Sequence, residues 1–328
     1  MIAEAGTQND LSLCIFPPNK PLEAVLDFSK KPVLYDNLLF VDFNDKGECI
    51  LGSSNIDSTF WEGTLLFYKN PEKLLTNDHD AHYIFATASD GKFINNTTIA
   101  LAEETGVLTI LSLVDGLLQP IKFFRHCQNI PEIATWKNAP KILTCCDKSV
   151  FVWDIDTLER KPYYKFDNFH LSLINSVDVL QNDVNQFLTA SNDRKAVIWD
   201  TRSDKPAQVL YSNEFSAIKN IKWNQTNTNY IIAGTQAGDV YLLDKREPKD
   251  FVAVKHCYES SIHRIAIENN KVAVCGNSTE IITYDCNNAT FNSEHRISTH
   301  NKFVRSVKWV DNVLYSCGFD KKVIKHDV

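Results

Sequence analysis

Residues 186–200 read Gln-Phe-Leu-Thr-Ala-Ser-Asn-Asp-Arg-Lys-Ala-Val-Ile-Trp-Asp. Two apolar-rich segments, QFLTAS and AVIWD, flank Asn192-Asp193-Arg194, whose Asn/Asp chemistry suits a β-hairpin turn. LINSVDVL before them and AQVLY after them complete a unit of four short strands, labelled a to d in chain order. The closing Trp199-Asp200 recurs at Trp153-Asp154, within IATW, KILTCC, SVFVWD and PYYKF. Degenerate copies of the Trp position fall at Phe67, Leu111, Leu243, Tyr284 and His326, giving successive intervals of 44, 42, 46, 44, 41 and 42 residues.

A period in the low forties that ends in Trp-Asp marks a WD-repeat propeller blade. Seven anchors predict an all-β, seven-bladed β-propeller filling residues 21–328 as one domain, after a flexible segment at residues 1–20. The last repeat (SVKWV, VLYSCG, KVIKHDV) stops at its third strand, which leaves an open edge. The missing outer strand is expected from the N-terminal segment, either Leu22–Phe28 or Val33–Tyr35, so removing the first 35 residues should destabilise the whole ring.

Bulk properties narrow the function classes. Of 328 residues, 44% are hydrophobic and 23% charged, ordinary for a soluble domain. No run approaches the ~18 apolar residues of a membrane span, and the N-terminus lacks a secretory pattern. Nine cysteines, an odd number without a C-x-x-C pair, suggest reduced thiols in the cytoplasm and nucleus. A net charge of −7 disfavours direct nucleic-acid binding and favours basic partners.

An Asp stands six residues before the anchors Trp153, Trp199 and His326, at Asp147, Asp193 and Asp320. His126, His170 and His300 precede the matching strands a. Ser, His and Asp are also the components of a hydrolytic triad. Their recurrence argues instead for a buried network in each blade, because an active site occurs once; no enzymatic activity and no catalytic residue are expected. His126-Cys127 and His256-Cys257 invite a metal reading, but adjacent strand residues face opposite ways. With no Gly-rich phosphate loop either, neither metal nor cofactor is expected.

Trp199-Asp200-Thr201-Arg202 resembles the WD-x-R motif of substrate receptors in cullin–RING ubiquitin ligases, with an echo at Leu243-Asp244-Lys245-Arg246. On that alternative function Arg202 would contact the ligase adaptor; otherwise it is a solvated rim charge. Trp136, Trp223 and Trp309 end strands a, and with Trp153 and Trp199 they are assigned to blade packing. Trp61 differs: it sits six residues before Phe67, where other blades place Asp, on a long connection containing Ser58, Thr59 and Phe60. An aromatic pair at such a tip either folds back over the blade or anchors a partner.

Three stretches resemble the WD-repeat subunits of the methylosome, the family of the fly protein Valois. They are Gly52–Asn55 with Phe60–Leu65 and Phe67–Pro71, then Trp199–Ala207, then Phe303–Arg305 through Trp309 to Val323–His326. The resemblance implies a noncatalytic cofactor of the type II protein arginine methyltransferase, in a hetero-oligomer that methylates arginine/glycine-rich Sm proteins and histones. It further implies that Trp61 inserts into the methyltransferase, with Ser58, Thr59 and Phe60 beside it.

Overall fold

The computed structural model describes residues 33–56, 61–126, 128–157, 162–287 and 289–327. Seven antiparallel sheets follow one another along the chain, six with four strands and the last with three described strands, and no sheet exchanges a strand with another. This is a seven-bladed β-propeller. Strand a of each blade packs on strand a of the next, so the seven innermost strands line a central channel. Among the described residues no helix is long and apolar enough to cross a membrane.

Blade four shows why the sequence folds this way. Its strands are Ile174–Val179, Gln186–Ser191, Lys195–Asp200 and Pro206–Ser212. Phe187, Val197 and Trp199 turn toward blade three and join Trp136, Val152 and Phe166 in one buried cluster. Leu188, Ala196 and Ile198 turn the other way and pack with Trp223, Ile231 and Leu243 of blade five. Alternation along a strand therefore serves two inter-blade layers at once. Trp136, Trp153, Trp199, Trp223 and Trp309 all lie in these layers.

The last blade comprises Val304–Val310, Val313–Gly318 and Val323–His326. Of the two candidates for its fourth strand, Leu22–Phe28 lies outside the described residues. Val33–Tyr35 is described and forms no strand. Tyr35 instead donates its backbone N–H to Ser53 Oγ in blade one at 3.2 Å. Leu34 packs beside Cys317 and Val323, and Lys321 pairs with Asp36 at 2.8 Å, so this segment covers the seam between blades seven and one.

Candidate functional site

Polar side chains of blades one to five link neighbouring channel strands. Asp42 accepts the backbone N–H of Phe93 (2.9 Å), Asp90 that of Ile133 (3.1 Å), and Glu132 that of Val177 (3.3 Å). Ser176 accepts from Ile221 (3.1 Å) and Asn220 from Ile265 (3.0 Å). Each bond crosses to the next blade. In blade six the residue aligned with Asp90, Glu132, Ser176 and Asn220 is Arg264, which cannot accept. Its guanidinium crosses the channel to Glu132 (2.7 Å) and Asp90 (3.2 Å). Burial pushes the Glu132 carboxyl up, but Lys222 and Arg264 outweigh it and hold the group at about 2.

Among the described residues, two blades carry a complete His network. In blade four the His170 Nδ1–H donates to Asp193 (2.9 Å), and the Thr189 hydroxyl donates to His170 Nε2 (2.7 Å). Thr189 in turn accepts from Trp199 Nε1–H at 2.9 Å. Burial raises the Asp193 carboxyl; bonds from His170, Leu171 and Lys195 overcome this and hold it at about 2. Blade seven repeats the chain through His300, Asp320 and Ser316, with His326 Nε2 in place of an indole at 2.7 Å.

Blade three corrects the spacing argument. His126 and Trp153 both bond Thr144 at 2.8 Å, but His126 Nδ1 has no hydrogen-bond partner, and Asp147 does not reach it. The connection between strands b and c here is only Asp147-Lys148, against Asn192-Asp193-Arg194 in blade four. Counting back from Trp153 gives the same offset of six, yet the hairpin is one residue shorter. Asp147 consequently takes a left-handed φ of 53° at the turn, displaced from the segment before strand a that carries the histidine. Of the two His-Cys pairs, Cys127 lies outside the described residues. His256 is exposed and bonds Asp239, while Cys257 is buried against Tyr284.

Trp61 lies on the connection between strands Cys49–Ser54 and Gly63–Tyr68 of blade one and is 37% exposed. Residues 57–60, hence Ser58, Thr59 and Phe60, lie outside the described residues. The base of the loop is pinned. Asn55 N–H donates to Glu62 O (3.1 Å), Glu62 N–H donates to Asn55 Oδ1 (2.5 Å), and Ser54 Oγ donates to Glu62 O (2.7 Å). Tyr35 Oη donates to the buried Glu62 carboxylate at 2.8 Å, and burial together with that carboxylate drives the phenol pKa upward. Gly63 is required next to it, since a Cβ would lie 2.6 Å from the Ala86 carbonyl. Trp61 is thus a partly open indole on a fixed stem.

In an antiparallel blade the b–c connection lies on the same rim as the chain entering strand a. The Trp61 rim therefore also carries Leu171 and Leu173 before strand a of blade four, Phe303 before blade seven, and Phe215 before blade five, which is 91% exposed. Apart from Phe303, which opens one of the resembling stretches, these apolar side chains were not singled out from sequence. Their common signal is position, immediately ahead of a strand a. Arg202 lies on the opposite rim, folded back on Asp200 at 2.8 Å through Nε, and Arg246 does the same on Asp244 at 2.9 Å.

No protein-family model matches the sequence. Methylosome protein WDR77 of Xenopus laevis is 23% identical over 299 residues, spanning 87% of this chain and 88% of that protein. The chain is similar to WDR77 along nearly its whole length. A shorter match, 32% identical over 94 residues, is to the GATOR2 complex protein WDR59 of Mus musculus and covers 29% of this chain and 9% of that one. Among solved structures, a chain of the mitotic checkpoint complex superposes with a TM-score of 0.73 at 12% identity, covering 89% of this chain and 87% of its own. That likeness concerns the propeller fold alone.

Proposed function

We propose that this propeller is a noncatalytic scaffold of a methylosome-type complex. It binds the type II, symmetric protein arginine methyltransferase and helps present arginine/glycine-rich substrates such as Sm proteins and histones, in the cytoplasm and nucleus. The observation that carries this reading is the similarity to a methylosome protein over 87% of the chain. The geometry of Trp61 supports it: a large aromatic ring, partly exposed on a pinned loop, loses little conformational freedom when it enters a partner's pocket. The net charge of −7 suits cationic substrates, through steering more than through tight contacts. The repeated Ser/Thr-His-Asp sets are occupied in holding blades together, which leaves them no nucleophile to present. The test is co-purification of the native chain and Trp61→Ala with the methyltransferase, followed by symmetric dimethylation of an Sm tail. Failure of the native chain to co-purify overturns the reading.

A further inference from the structure

The channel mouth on the Trp61 rim opens into a cavity of about 370 Å³ whose walls include Asn175, Lys219, His263, Arg264, Arg305 and, as its one carboxylate, Glu132. At the cavity floor and along the channel, carboxylates and bases are matched. Asp42 pairs with Lys308 at 2.7 Å, Asp90 with Arg264 at 3.2 Å, Glu132 with Lys222 at 2.8 Å, and Asp178 with Lys222 at 3.8 Å. Arg305 stands apart. Its guanidinium lines the cavity without an ion-pair or hydrogen-bond partner among the described residues. Burial, then the adjacent Arg264 cation, push its pKa down. The same surroundings act on His263, held at about 4 by burial and then by Arg305. Lys219 spends one donor on Asn192 Oδ1 at 2.7 Å and has two left.

A partly buried cation whose nearby carboxylate, Asp90, is already paired with Arg264 costs free energy, so such groups normally have a partner of their own. A guanidinium offers five donors in a planar fork that matches two oxygens of a phosphate. We propose that this channel mouth is a binding site for a phosphate-class oxyanion, with Arg305 as its principal donor and Lys219 as a second cation. The anion comes either as a free polyphosphate or as a phosphorylated side chain of a bound peptide. The site also repels arginine-rich segments, which places any recognition of basic tails elsewhere on the surface. The inference does not rest on the proposed scaffold role, since binding is measured on the isolated chain.

The experiment is calorimetric titration of the chain with inorganic pyrophosphate and with a phosphoserine pentapeptide, at constant ionic strength set by chloride. Saturable binding of either supports the site, and the tighter ligand names the source. Arg305→Gln should weaken it about tenfold or more and Lys219→Gln about threefold, in line with the loss of charge-assisted bonds. Binding unchanged in Arg305→Gln, or no saturable binding of either ligand, overturns the proposal. Arg305→Gln should melt no lower than the native chain, because it removes a like-charge contact with Arg264. A melting point lower by several degrees would make Arg305 a structural residue and overturn the assignment as well.

Discussion

Arg264 of blade six bonds Glu132 of blade three at 2.7 Å across the central channel, between strands 132 positions apart in sequence. Blades two to five place a hydrogen-bond acceptor at this level that takes a backbone N–H of the next blade; blade six substitutes a donor that reaches the far wall. The ring is thereby braced along a chord as well as around its circumference. A buried pair of this kind adds little over an apolar isostere, but breaking it strands its partners.

Arg264→Ala leaves the buried carboxylates of Asp90 and Glu132 without their shared cation. It should destabilise the propeller by about 3–5 kcal/mol, measured by denaturant unfolding. A loss below about 1 kcal/mol would show that the chord is not structural.

The two turn aspartates should respond differently to one change. Asp193→Asn weakens a charge-assisted bond to His170 and should cost about 1–2 kcal/mol. Asp147→Asn touches no histidine and keeps a residue type tolerant of positive φ, so it should stay within about 0.5 kcal/mol. Equal losses in thermal or denaturant melts would restore Asp147 to the network.

Stability should fall as pH drops from about 6.5 to 4. Burial holds His126, His263 and His326 at about 4 in the fold, below the ordinary histidine value of 6.5. In this window the unfolded chain takes up protons that the native histidines refuse, so acid favours unfolding. Burial raises the Glu103 carboxyl to about 7, which opposes this between about 7 and 4.5, as do the raised His256 and Asp178, while the lowered His82 adds to it. His326→Gln keeps an N–H for Ser316 without titrating, and should flatten the slope of melting temperature against pH. An unchanged slope removes His326 from the account.

Trp61→Ala should alter folding stability by about 0.5 kcal/mol or less while weakening methyltransferase binding by about 2 kcal/mol, roughly thirtyfold. Phe215→Ser, on the same rim but between blades four and five, serves as the matched control and should leave that affinity within about twofold. If melting drops by several degrees and binding persists, Trp61 is a packing residue.

Arg202→Ala tests the ligase alternative. Its guanidinium is exposed and neutralised by Asp200 within the same turn, so its removal should change neither fold nor partners. Loss of a ubiquitin-ligase adaptor from pull-downs of this variant would instead favour the receptor reading.

The sequence by itself determined the blade count, the identity of the inter-blade tryptophans and the departure of Trp61 from the blade pattern. Strand alternation and a fixed repeat length are local properties, and each recurs often enough to be read from spacing. Only the tertiary structure decided which aspartates reach their histidines, because a hairpin one residue shorter in blade three leaves the offset from Trp153 unchanged while moving the carboxylate away. It also decided the channel. Asp90, Glu132, Arg264 and Arg305 are scattered along the chain, and ring closure sets their distances, so which charges pair and which is left over depends on geometry that no repeat spacing encodes.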